Sequence, residues 1–99
     1  MYVVTVLFNI KVTNFAEFLA AVTENARLSL ANEPGCEVFD VCQSPADRPC
    51  QVFLYEVYVT QADFQLHLSA PHFHYFNSLT ASWVVDKTVS IFQLTTPSP

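Results

Sequence analysis

Residues 52–76, VFLYEVYVTQADFQLHLSAPHFHYF, decide the fold. From Val52 to Val59 the residues are mostly aromatic and β-branched, which predicts a strand over residues 51–59. Thr60 then offers a helix N-cap with Asp63 in the first turn, and Phe64, Leu66, His67 and Leu68 follow within the helix. Pro71 has no amide hydrogen to donate, so the helix breaks there and restarts as a second segment. Phe73, Phe76, Leu79 and Trp83 continue that segment at helical spacing. One carboxylate, Glu56, interrupts the strand, on the face shared by Val52, Leu54 and Tyr58. A charge among apolar side chains is costly unless it is paired, hydrogen-bonded or protonated.

On the N-terminal side, residues 2–11 predict a strand with Tyr2, Val4, Val6, Phe8 and Ile10 on one face. Val3, Thr5 and Leu7 make the other face largely apolar, as in a sheet covered on both sides. A helix follows to about Asn32. Asn14 is its expected cap, Glu17 completes a capping-box pattern, and Phe15, Phe18, Leu19, Val22, Ala26 and Leu30 form its buried stripe. Glu33-Pro34-Gly35 stops it. Residues 36–43 predict a second strand, and the turn at 44–49, with two prolines and an aspartate, closes a hairpin onto the strand at 51–59. Residues 86–94 predict the last strand, ahead of a loose polar tail at 95–99.

The order is β-α-β-β-α-β, an α+β, ferredoxin-like domain over residues 1–94, with a four-stranded antiparallel sheet and its helices on one face. The opposite face is apolar too, and the same face of a second copy is its simplest cover, which predicts a homodimer through the open sheet face.

Composition narrows the function. The chain has 99 residues, 52% of them hydrophobic, and a formal net charge of -5. Lys11, Arg27, Arg48 and Lys87 are the only basic residues and are scattered, so no basic face exists for nucleic acid or an anionic membrane surface. No apolar run approaches the roughly 20 residues of a membrane span. The N-terminus lacks a charged leader pattern, and a cytoplasmic protein is expected. Cys36, Cys42 and Cys50 match no zinc spacing and read as free thiols in a reducing compartment.

Glu56, His67 and His72 are the candidate catalytic residues: an acid held in an apolar setting and imidazoles that titrate near neutrality. Asn25 can hydrogen-bond a substrate oxygen, Tyr58 can hydrogen-bond Glu56, and Phe39 and Trp83 can wall a flat ligand. His74 is expected on the surface. His67, His72 and His74 do not share a helix face, so no metal is expected from that set.

Three pieces of the sequence resemble the antibiotic biosynthesis monooxygenase (ABM) family. They are Phe39-Asp40-Val41-Cys42-Gln43-Ser44-Pro45, Tyr55-Glu56-Val57-Tyr58 and His67-Leu68-Ser69-Ala70-Pro71-His72-Phe73, together with Asn25. The resemblance covers roughly residues 1–93 and implies a dimeric α+β barrel of ferredoxin-like subunits. One branch it implies holds monooxygenases that oxidise quinols or phenols with O2 and no cofactor. Another holds an isomerase of a phosphorylated dicarbonyl, the autoinducer-2-degrading type. Members of that second branch carry a histidine directly after the helix asparagine, where this chain has Ala26. The expected activity is therefore that of a small cofactor-independent monooxygenase acting on a quinol, phenol or enolisable dicarbonyl by proton abstraction. The isomerase and a non-catalytic small-ligand-binding dimer are the alternatives.

Overall fold

Four strands hydrogen-bond in the order β2-β3-β1-β4, with every neighbouring pair antiparallel. In this computed structural model, which describes residues 1–96, they are β1 (Tyr2–Ile10), β2 (Cys36–Gln43), β3 (Gln51–Tyr58) and β4 (Val84–Gln93). The helices are α1 (Phe15–Asn32), α2 (Gln61–Ser69) and α3 (Pro71–Thr80), with short 3-10 turns before α1 and after α3. This is the expected ferredoxin-like arrangement. The expected tail falls partly on residues 97–99, which lie outside the described residues.

The helix-facing side chains alternate as the sequence predicts. Val4, Val6, Phe8 and Ile10 of β1 and Val52, Leu54, Glu56 and Tyr58 of β3 are all buried. Phe8, Phe18 and Phe76 meet with ring centroids 5.0 to 6.5 Å apart, in tilted or edge-on contacts that tie β1, α1 and α3 together. On β2 the register slips between Cys36 and Val38. This bulge lets both Cys36, paired with Tyr58, and Phe39, paired with Glu56, turn toward the helices despite their odd separation.

Two local expectations fail for backbone reasons. Asn14 does cap α1 by position, but it closes a 3-10 turn at φ -116°, ψ 10° and its side chain makes no capping bond. An N-cap needs extended backbone to swing its oxygen back onto the helix amides. Thr60, at φ -137°, ψ 166°, has that geometry and forms a complete capping box with Asp63. In α1, Leu30 is 48% exposed, and Ser29 is buried in its place.

Ala70, with extended backbone at φ -68°, ψ 141°, ends α2 and precedes Pro71 at the first position of α3. On the opposite sheet face Val3 and Val57 are buried, while Phe53 is 39% and Phe92 57% exposed. Among the described residues no helix is long and apolar enough to cross a membrane.

Gly35 lies directly against the Asp63 side chain, where a Cβ would overlap it. Gly35→Ala should therefore push Asp63 out of the capping box and cost about 0.5–2 kcal/mol, the range for losing a cap. Chemical denaturation checks this. In an Asp63→Ala background the same substitution should cost markedly less, and full additivity would exclude the clash.

Candidate functional site

Glu56 sits on an inner strand and is 3% exposed. Tyr58, two residues on and on the same face, donates a hydrogen bond to its Oε1 at 2.6 Å. Among the described residues no lysine or arginine pairs with it; Arg27 is held on the surface by Glu24. Burial pushes the Glu56 carboxyl up to about 7, against the pull of the Tyr58 hydrogen bond and with a smaller push from the Glu33 charge. The Tyr58 hydroxyl is driven well above its ordinary range by burial and by Glu56 itself, so it stays protonated as a donor.

His67 Nε2 lies 4.0 Å from Glu56 Oε1. The ring is packed among Phe39, Tyr58, Phe64 and Phe73, with centroids 5.1 to 6.2 Å away. That burial lowers the His67 pKa, while the Glu33 carboxylate partly restores it. His67 Nδ1 is 3.0 Å from Glu33 Oε2, so a neutral ring donates from Nδ1 and keeps its Nε2 lone pair toward Glu56. His72 Nε2 reaches the same Glu33 oxygen at 2.5 Å. Ser29 Oγ lies 3.4 Å from His67 Nδ1 and 3.1 Å from His72 Nε2.

The helix break makes this convergence possible. On one continuous helix, residues five apart point about 140° away from each other. The extended Ala70 re-aims α3, so the His67 and His72 rings stand 6.2 Å apart and face the end of α1 together.

Glu56 and His67 line one cavity with Asn25, Phe39, Phe64 and Phe73, and its free volume is about 70 Å³. Its rim carries the exposed side chains of Asn77, Lys87 and Val89, so it opens between α3 and β4. The closed part is far smaller than an aromatic ligand, which would also occupy the open side. Asn25 is 3% exposed, and its Oδ1 is buried with no hydrogen-bond partner among the described residues. An orphaned buried acceptor costs about 1–3 kcal/mol, which a ligand hydroxyl would relieve. The sequence pointed to Asn25 as a residue that hydrogen-bonds a substrate oxygen, and the structure sets its side chain in the cavity lining.

The other expected residues divide. Phe39 lines the cavity, whereas Tyr58 is fully buried and outside its lining. His72 also lies outside it, bound to Glu33. Trp83 packs at the far end of the core, where its carbonyl accepts from the Lys11 amide, and it does not reach the cavity. His74 is exposed. The three cysteines are free, and burial pushes the Cys36 thiol up to about 12, far from a thiolate nucleophile. Sequence reasoning missed Glu33 and Ser29. Their signal was the four-residue step Asn25, Ser29, Glu33, a polar row that prolongs the apolar stripe of α1.

Because the folded pKa of Glu56 is raised, its contribution to stability is fully present below about 4.5 and is lost as pH rises through about 7. The wild type should therefore lose stability relative to Glu56→Gln across that window, at up to about 1.4 kcal/mol per pH unit. Denaturation curves from acid to mildly alkaline pH check this, and parallel profiles would contradict the shift.

The antibiotic biosynthesis monooxygenase family matches residues 1–78. A Nitrosomonas europaea protein assigned by name to that family has a solved structure that superposes with a TM-score of 0.90 at 31% identity, covering 97% of this chain and 100% of that one. A Bacteroides thetaiotaomicron protein assigned by name to the same family superposes at TM-score 0.91 and 23% identity, over 99% and 92% of the two chains. Rv0793 of Mycobacterium tuberculosis shares the fold at TM-score 0.87 and 17% identity, over 99% and 98%. Comparison with curated proteins finds no match. The sequence match over most of the chain and the shared architecture together establish that this chain belongs to the antibiotic biosynthesis monooxygenase family.

Proposed function

We propose that this chain is a cofactor-independent monooxygenase that removes a proton from a quinol, a phenol or an enolisable dicarbonyl and exposes the resulting anion to O2. The observation that carries this reading is Glu56: a buried carboxyl without a lysine or arginine partner among the described residues, lining an apolar cavity. Glu56 as carboxylate, or His67 through Nε2, takes the substrate proton. Glu33 holds His67 in the tautomer that leaves Nε2 free, as a positioning residue. Asn25 Oδ1 accepts from a substrate hydroxyl and orients the ring.

For a quinol the reaction balances without an outside reductant. The anion adds O2 at ring carbon to give a peroxide. The O–O bond then breaks, one oxygen stays as a new carbonyl, and the other leaves as water. All four electrons come from the substrate. Apolar walls favour the step because they weaken solvation of the anion and admit O2.

Isomerisation of a phosphorylated dicarbonyl would begin with the same deprotonation. Among the described residues Lys87 is the one lysine or arginine on the cavity lining, which is thin provision for a phosphoryl group. A neutral, oxygen-rich ring suits the cavity better.

We also propose a homodimer through the open sheet face. Phe53 and Phe92 stand exposed there, on the face that also carries Val3 and Val57. Three free thiols fit a reducing compartment such as the cytoplasm.

Oxygen consumption against a panel of quinols and dicarbonyls, with product mass, tests the activity. A gain of one oxygen atom is expected, and Glu56→Gln should lower turnover by about 10²–10⁴. Turnover unchanged from the parent in both Glu56→Gln and His67→Ala would eliminate this site, and a product of unchanged mass would favour the isomerase. Light scattering should give twice the chain mass, with Phe53→Glu shifting it toward one; a monomer at micromolar concentration would refute the dimer.

A further inference from the structure

The same cluster that orients His67 has the makings of a site of another kind. His67 Nδ1, His72 Nε2 and a Glu33 carboxylate oxygen all lie within 4.8 Å of one another. Two imidazole nitrogens and one carboxylate form a familiar three-ligand set for a divalent transition metal. The individual separations are 3.0 Å from His67 Nδ1 to Glu33 Oε2 and 2.5 Å from His72 Nε2 to the same atom. Ligand atoms about 2.0–2.1 Å from one metal stand about 2.9 Å apart in octahedral and about 3.3 Å apart in tetrahedral geometry. The two separations to Glu33 Oε2 would each open by less than about 1 Å, and the two imidazole nitrogens, which lie within 4.8 Å, would settle to the same spacing, to admit an ion at those bond lengths.

We propose that Glu33, His67 and His72 bind a divalent transition-metal ion of the Zn2+ or Co2+ type. Ser29 Oγ, 3.1 Å from His72 Nε2, or a water, would fill a further position. The three ligands come from three different segments, so the site exists only in the folded chain. Each is held in place: His67 by its aromatic neighbours, His72 at the start of α3, and Glu33 as the residue that ends α1. The side chains of Glu33 and His72 are 12% and 11% exposed, which gives an ion a way in from the surface. Glu33 ends α1 and His67 lies in the last turn of α2, where helix carbonyl ends favour a cation. On the far side of His67, Glu56 Oε1 lies 4.0 Å from Nε2, the position of an outer carboxylate behind a metal-bound imidazole.

The ion and the base compete for one ring. With a metal on Nδ1, His67 carries its proton on Nε2 and points it at Glu56, so Nε2 can no longer accept a proton from a substrate. Metal binding should therefore inhibit proton abstraction. That effect rests on the proposed reaction; the binding itself does not.

Equilibrium dialysis and calorimetry of the chelator-treated full chain with Zn2+ test the binding, and visible absorption with Co2+ reports the geometry. One ion per chain at micromolar concentration is expected. Glu33→Gln and His72→Ala should each weaken binding by about a hundredfold or more, beyond the effect of losing an outer partner. His74→Ala, an exposed histidine outside the cluster, and Cys42→Ser, the exposed thiol, should bind as the parent does. Circular dichroism of each variant keeps loss of a ligand separate from loss of the fold. Absence of stoichiometric binding, or binding that survives in both Glu33→Gln and His72→Ala, would overturn the site. Binding without any oxygenation in the quinol panel would keep the metal site and discard the reaction.

Discussion

The structure depends on what is done with one carboxyl group. Glu56 sits on an inner strand under the helices, where water cannot solvate its charge and no guanidinium or ammonium among the described residues compensates it. Desolvation alone would hold it neutral. Tyr58 relieves part of that cost with a hydrogen bond, and the balance leaves the group titrating near neutral pH. A buried acid poised in this way can either hold or release a proton at small cost.

The surroundings of Glu56 follow from the same constraint. The aromatic rings that exclude water from it also enclose His67 and keep that imidazole neutral. A neutral imidazole needs one nitrogen fixed as donor if the other is to be useful, and Glu33 fixes it from the end of α1. The cavity beside them is small, apolar and open at one edge, with the unpaired Asn25 oxygen in its wall. Acid, base and acceptor thus come from β3, α2 and α1, and the sheet register and helix packing hold them at fixed separations.

The break between α2 and α3 has a second role. A continuous helix would have placed His72 far from His67; the extended Ala70 and the proline after it bring both to Glu33. Two imidazoles on one carboxylate form a stable hydrogen-bonded knot at the mouth of α1. The knot joins the end of α1 to α2 and to the start of α3, and it fixes the partner of His67 Nδ1, the nitrogen opposite Nε2.

Much of this was legible in the chain. Period-two alternation in β1 and β3, the helical stripe of α1, the Thr60–Asp63 cap and the stop at Pro71 follow from short-range sterics and hydrogen bonding, and they give the element order and thus the fold. Glu56 stood out because burial of a charge can be inferred from its strand neighbours alone. Only the tertiary structure decided which distant groups meet it. Glu33 looked like a stop signal and Trp83 like a ligand wall, and Ser29 gave no signal of its own, because nothing local states where the end of one helix lands against another. The bulge that turns Phe39 inward and the convergence of Glu33, His67 and His72 depend on how three packed segments share one volume, a property of the assembled chain that no window of sequence contains.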